Sequence, residues 1–545
     1  MQKVLTADEM REVDRLTTEK YGIPSILLME NAANAAARVI CEKLGGSVRD
    51  KSILIMCGRG NNGGDGAALG RILWSQGADV EVCLFGQVEN TGGDARTNFE
   101  TLRKIADAEN FEVEQSDLAF EEFSSLEDWL DYDSLNFQGD DPDVIVDALF
   151  GTGLTRPLEG VFEQAAEFIS AFCARCEDGE TLVVSLDVPS GLLADCSDCN
   201  GSVARADVTV TFTAPKLANV LPPAANCGGE LRIEKIGSPC DLVQASPSQV
   251  FLSEAEDASE WLSLTEYTSN SYKNKRGHVL LVAGSANYSG AAVLCGNAAI
   301  RSGAGLATIA TPRSGLTSIA SRVAPEVMVR GIAETPAGAA SAAAYDDVAA
   351  FWSNVDCVAI GSGLSSSDEE TRELVRKIVE HRRTPVVIDA DGLNALSPFD
   401  IAGSAELPLI LTPHDGEFLR LLGTEDRERI KDRVAAARDF ATLHKVFLVL
   451  KGERPMVADP DGRVVISPTG NSGLGKAGNG DTLCGVIAGF VAQAVQFKIG
   501  IFETLVAAVY FAGLAGDIAE RQYGKRTMTA SDVREAFADA FELLS

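Results

Sequence analysis

From Lys51 onward, short apolar runs alternate with amphipathic stretches: SILIMCG leads through a Gly-rich segment into ALGRILWSQ, and DVEVCLFG, DVIVDALFG, TLVVSLDV and DVTVTFTAP follow. β-Branched runs separated by helical patterns predict parallel strands with crossover helices, a doubly wound sheet. A second series comprises HVLLVAG, LATIAT, CVAIGSG, TPVVIDA, LPLILTP and VFLVLKG, and ends in NSGLGKAGNGDTL before long apolar helices. The segment 241–270 between the series is rich in Ser, Glu and Asp and lacks a strong strand pattern, which predicts a linker. The expectation is an α/β protein with domains at 1–240 and 271–545 and a linker at 241–270. No similarity relates the halves, so two different folds are expected rather than a repeat. The acidic stretch 110–141 interrupts the first series without clear periodicity and reads as a surface insertion.

A length of 545 residues suits two domains, each with its own core. With 47 basic against 79 acidic residues the net charge is −32, which repels nucleic acid and anionic membranes. Small anions remain possible ligands, because helix N-terminal amides hold phosphate without basic side chains. Asp8 and Glu9 sit where a secretory signal needs apolar residues, so a cytoplasmic location is expected. The apolar region from Thr482 to Gly516 is broken by Gln493, Gln496, Lys498 and Glu503 and reads as buried helices rather than membrane spans. Cys173, Cys176, Cys196 and Cys199 form two C-x-x-C pairs compatible with zinc. TLVVSLDV between them reads as a strand of roughly 25 Å that holds the pairs apart, which favours packing over metal binding.

Two groups of residues carry candidate chemistry. In the first half, GRGNNGGDG follows a strand and precedes a helix, while DALFGTGLTRP and SLDVPSG end two further strands. In an open parallel sheet all three loops converge on one carboxyl edge. Asp147 and Asp187 stand where apolar strands end, and a carboxylate there needs a cation, a donor or a proton; capping of the next helix is the competing reading. In the second half, NSGLGKAGNGDTL sets Asp481 at the start of an apolar helix. Such a turn offers amides to phosphate, and the carboxylate can accept a hydroxyl proton, although helix capping again competes.

With LLMENAA, NNGGDG, DALFGTGLTRP and SLDVPSG, residues 1–240 resemble the NAD(P)H-hydrate epimerases, which implies a Rossmann-like fold. The resemblance implies that hydrated cofactor contacts Asn61, Asn62, Gly63, Gly64 and Asp65, then Gly151, Thr152, Gly153, Leu154, Thr155, Arg156 and Pro157, with Asp187 beside the reacting ring. It implies potassium at Asn62, Asp147 and Ser190.

Through RGHVLLVAGS, SGAA, RSGAGLATIAT, AIGSGL, VIDADGLNAL, LTPHDGEF and LVLKG, the second half resembles the ribokinase-like NAD(P)H-hydrate dehydratases. By that resemblance Ala291, Gly363, His414 and Asp481 contact the hydrate, with Asp481 as base. Lys451, Gly452, Glu453, Arg454, Pro455 and Gly480 contact ADP or ATP, which brings magnesium. Two departures stand out: Pro455 replaces the family's usual Thr and supplies neither hydroxyl nor amide donor, and Ser472, Ala477 and Asn479 alter the Gly-rich turn. Lys476 is a further candidate phosphate contact, against the alternative of a solvated loop lysine.

The implied protein epimerises R and S hydrates of NADH and NADPH and dehydrates the S form, with oligomeric state left open. A small-molecule kinase of the hydroxymethylpyrimidine or thiazole type, with a non-catalytic nucleotide-binding first half, is the alternative.

Overall fold

The computed structural model describes residues 1–107, 118–136, 141–175 and 181–545. It divides into two compact units, Lys3–Ser248 and Gln249–Ser545 with Met1–Gln2.

Beyond a two-residue strand β1 (Gln2–Lys3), the first unit is built on β2 (Ser52–Cys57), β3 (Asp79–Phe85), β4 (Leu118–Phe123), β5 (Val144–Ala148), β6 (Leu182–Leu186), β7 (Val208–Phe212) and β8 (Glu230–Glu234). Their order is β4-β3-β2-β5-β6-β7-β8, parallel throughout. Alternation of side chains sends Ile53 and Ile55 into one core and Leu54 and Met56 into another, so both faces of the sheet are covered. The strand order reverses between β2 and β5, and the loops after these strands therefore open a crevice at the carboxyl edge.

NNGGDG is helical rather than a loop before the helix: the helix runs Asn61–Ser75. Its glycines serve close packing. A Cβ on Gly63 would lie 1.8 Å from the Gly58 carbonyl oxygen, and one on Gly66 would lie 2.6 Å from the Ala148 side chain. Gly63→Ala should therefore destabilise this unit by about 1–3 kcal/mol or more, as overpacking does. Thermal melting checks this; an unchanged melting temperature would contradict the close approach.

The expected insertion at 110–141 contains regular structure where it is described. β4 is an edge strand paired to β3, and the helix Leu126–Asn136 places Trp129 in the core, with its ring 5.1 Å from Phe85 and 5.3 Å from Phe123. LAFEEF hides its strand character because Glu121 and Glu122 belong to an edge. Cys176, one of the candidate zinc ligands, lies outside the described residues.

The second unit carries β9 (Val250–Leu252), β10 (His278–Val282), β11 (Leu306–Pro312), β12 (Val327–Ile332), β13 (Cys357–Ile360), β14 (Val386–Ile388), β15 (Leu409–Leu411), β16 (Phe447–Leu450), β17 (Met456–Ala458) and β18 (Val464–Ile466). Their order is β9-β18-β17-β16-β15-β14-β13-β10-β11-β12, antiparallel only at β16-β17 and β17-β18. The strand order reverses between β10 and β13, again opening a crevice at the carboxyl edge.

The segment expected as a linker, 241–270, is structured. β9 pairs with β18, and the helix Ala255–Leu264 stacks Trp261 on Phe490 at 4.2 Å while its indole donates to Thr504 Oγ1 at 3.0 Å. A three-residue strand is too short to show periodicity, and Glu254 and Asp257 after it cap the next helix. The helices Asn479–Phe497 and Ile501–Thr527 are long and apolar enough to cross a membrane by length and composition. Their Val486, Ile487, Phe490, Leu505 and Phe511 lie in the core of the unit.

Candidate active sites

In the first unit, a cavity of about 790 Å³ opens over the crevice between β2 and β5. Asn61, Asn62 and Asp65 reach it from the Asn61–Ser75 helix, Gly151 to Gly153 from the loop after β5, and Asp187 from the end of β6. Asp187 sits at φ +66°, a left-handed conformation that β-branched residues avoid and Asp tolerates. Its Oδ2 accepts from the Thr152 amide at 3.3 Å and its Oδ1 from Thr211 Oγ1 at 3.2 Å. The same Oδ1 pairs with Lys216 Nζ, which also donates to Thr211 Oγ1 at 3.0 Å.

Lys216 is 1% exposed, so Asp187 is its counter-charge inside the protein. TAPKLANV at 213–220 held no strand or motif signal that pointed to this lysine. Asp14, on the N-terminal helix Ala7–Tyr21, also lines the cavity and was equally invisible in sequence. Burial, with the Asp187 charge adding to it and Lys216 opposing, raises Asp14 to about 6. Burial also lifts Asp65 well above the ordinary carboxylate range, with Asp187 and Asp14 adding to the effect.

Asp147 is fully buried at the end of β5. It accepts hydrogen bonds from the Ser190 amide and Ser185 Oγ, both at 2.8 Å, from Leu149 N at 3.2 Å and from Ser190 Oγ. Burial still raises it above its ordinary value against these four donors. Asp147 and Ser190 are thus brought together, while Asn62 faces the cavity with its Nδ2 buried and unpartnered. Gly63 and Gly64 are spent on helix packing, Leu154 packs against the core, and Thr155, Arg156 and Pro157 lie outside the cavity walls.

In the second unit, Asp481 occupies the first turn of the helix Asn479–Phe497, entered through Gly478 at φ +92°. Burial raises its carboxyl to about 6, with Asp389 adding to the shift while the nearby Ser362 hydroxyl and the Lys451 charge oppose it. Lys451 Nζ lies 2.9 Å from Asp389 and 3.6 Å from Glu417. Burial works against its charge, but these carboxylates prevail and hold it above its ordinary value.

Gly363, next to Ser362, is at φ +69°, and a Cβ there would meet the Ala291 side chain at 3.0 Å. His414 caps the helix Asp415–Leu421: its Nδ1 accepts from Gly416 N at 3.0 Å, and Nε2 lies 3.6 Å from Glu417. Ala291, Gly363, His414 and Asp481 therefore converge through Ser362, Lys451 and Glu417. Asp389 and Glu417 lie inside VIDADGLNAL and LTPHDGEF, but only the fold reveals their contact with Lys451.

Beside this cluster is a cavity of about 610 Å³ lined by Lys451, Gly452, Glu453, Pro455, Gly480 and Thr482 among others. Arg454 is not among its walls, and burial holds its guanidinium below the ordinary value. Lys476 donates to the Arg526 and Met528 carbonyls, so its ammonium closes a helix end instead of facing phosphate.

A family model described as NAD(P)H-hydrate dehydratase matches residues 279–538, and one described as YjeF-related protein N-terminus matches 25–218. A bifunctional NAD(P)H-hydrate repair enzyme of Moorella thermoacetica is 39% identical over 531 residues, covering 97% of this chain and 95% of the relative. The chain belongs to the bifunctional NAD(P)H-hydrate repair enzymes. The repair enzyme of Thermofilum pendens is 36% identical, covering 97% of this chain and 94% of its own. Among solved structures, an ADP/ATP-dependent NAD(P)H-hydrate dehydratase from Bacillus subtilis, co-crystallised with ATP and magnesium, is 29% identical. It covers 54% of this chain and 99% of its own at a TM-score of 0.46. The two family matches fall one in each structural unit, so a repair enzyme of this family carries its two sites on separate folds.

Proposed function

We propose that the first unit interconverts the R and S hydrates of NADH and NADPH, and that the second dehydrates the S form with ADP or ATP. The observation that carries the second half is Asp481. It is a half-buried carboxyl raised to about 6 in the first turn of a helix, and a Cβ added at the preceding Gly480 would lie 3.6 Å from the Lys451 ammonium. That arrangement takes a proton from the ring hydroxyl as the nucleotide's terminal phosphoryl group is transferred to it. Loss of inorganic phosphate, with a proton from the neighbouring ring carbon, then restores the dihydronicotinamide. ADP would leave as AMP and ATP as ADP.

The 610 Å³ cavity suits the nucleotide, since Lys451 and the helix N-terminus face phosphate. Thr482 Oγ1 is buried without a partner in its wall and supplies a hydroxyl where Pro455 has none. Among the described residues no group of three or more His, Cys, Asp or Glu could hold a metal ion. Magnesium would therefore arrive on the nucleotide phosphates, which suits an ion that keeps most of its water. In the first unit Asp147, Ser190 and Asn62 offer hard oxygens of the type potassium takes, and a monovalent cation would offset a carboxylate that burial disfavours. Asp187, kept beside Lys216 at the cavity floor, would move protons as the hydroxyl leaves one face of the ring and water returns to the other. A cytoplasmic location fits a substrate and nucleotide of this kind.

Dehydration of the S hydrate should rise as pH passes through about 6 and level off above it, because Asp481 must be ionised to accept the proton. Stability runs the other way. The folded state holds this proton more tightly than the unfolded chain, whose carboxyl titrates near 3.8, so Asp481 costs stability progressively as pH rises from about 4 to 6. Initial rates with saturating ADP across this window check the assignment; a flat profile removes Asp481 as base.

A further inference from the structure

A second cavity of the dehydratase unit, about 660 Å³, is formed by Ser366, Ser367, Arg372, Asn394, Arg420 and Thr424 with neighbouring residues. Part of its wall is tied to residues at the reacting end of the hydrate site. Asp391, whose charge acts on Asp481, accepts from the Ser365 amide at 2.9 Å and from Ser366 Oγ at 2.8 Å. Ser365 and Ser366 follow Gly363 in the same loop. Asn394 sits on the short helix Asp391–Ala395, and Arg420 on the helix capped by His414.

The two arginines are held by one edge only. Arg372 Nε donates to the Ser366 carbonyl at 2.7 Å, and Arg420 Nε donates to Asn394 Oδ1 at 2.8 Å. Among the described residues Arg372 has only Glu369, 4.0 Å away and 90% exposed, as an ion-pair partner, and Arg420 has none. In a chain of net charge −32 two guanidinium groups with so little carboxylate pairing are conspicuous, and the one carboxylate in the cavity wall is Glu425. The fixed Nε atoms leave the Nη groups available, the fork geometry that suits phosphate oxygens. This cavity shares no lining residue with the 610 Å³ nucleotide cavity, so both can be filled at once.

We infer that this cavity is the subsite for the phosphate groups of the hydrate's adenosine half, with Arg372 and Arg420 as its anion-binding residues. The inference rests on the dehydratase reading above. With the ring at Gly363 and Asp481, the dinucleotide's anionic end extends along the 363–367 loop into the arginine-lined space.

The test is steady-state dehydration of S-NADH hydrate and S-NADPH hydrate by the full chain carrying Arg372→Gln or Arg420→Gln. Each variant should raise KM about tenfold or more, as loss of a charged hydrogen bond does, with kcat within about twofold. An unchanged melting curve together with the retained kcat shows that the dehydratase unit is folded, and epimerisation, carried by the other unit, should be unchanged. A rise for both hydrates assigns the pyrophosphate, and a rise confined to the NADPH hydrate assigns the 2′-phosphate. Unchanged KM for both hydrates overturns the subsite. Absence of dehydration by the unsubstituted protein would instead overturn the activity on which it rests.

Discussion

Asp481→Asn should slow dehydration of the S hydrate by about 10²–10⁴-fold, the contribution of a positioned base, and leave epimerisation intact. Asparagine keeps the shape, but it cannot take the hydroxyl proton. Because burial and the neighbouring Asp389 disfavour the ionised carboxyl, the substitution removes a strained charge and should not lower stability at neutral pH. Rates with ADP and with ATP, beside melting curves, separate loss of chemistry from loss of fold. Turnover within about tenfold of the unsubstituted protein would contradict the role given to Asp481.

Asp187→Asn should abolish measurable R/S interconversion and, unlike the first substitution, destabilise its unit. Lys216 is 1% exposed and has Asp187 as its ion-pair partner, so the change strands a buried ammonium at a cost of about 3–5 kcal/mol. Replacing both residues, Asp187→Asn with Lys216→Met, should recover much of that stability without recovering activity. Chromatographic resolution of the epimers and thermal melting read the two effects separately. Epimerisation by the single variant would remove Asp187 from the mechanism, and failure of the double variant to regain stability would remove the buried pair from the energetics.

The parallel strands were legible because both their faces are buried: SILIMC, VIVDA and LVVSL each carry a run of three or more consecutive apolar residues and end in polar loops. The edges were not. β4 carries acidic residues, β9 is three residues long, and β17 and β18 are too short to show a period. The same contrast holds for the sites. Residues inside compact motifs, such as Asp147, Asp187 and Asp481, could be found by their place at strand ends or helix starts. Lys216 and Asp14 reach the epimerase cavity from segments about 200 residues apart, and only the fold brings their charges together. The glycines of NNGGDG read as a flexible phosphate loop, yet they act mainly by letting a helix lie against the sheet.

The most direct test of a two-site repair enzyme is the return of near-ultraviolet NADH absorbance when the purified protein meets an R and S hydrate mixture with ADP, and separately with ATP. Complete recovery with at least one nucleotide, and none without, is the expected result. Recovery that stops at the S fraction would contradict the epimerase assignment, and no recovery with either nucleotide would contradict the dehydratase.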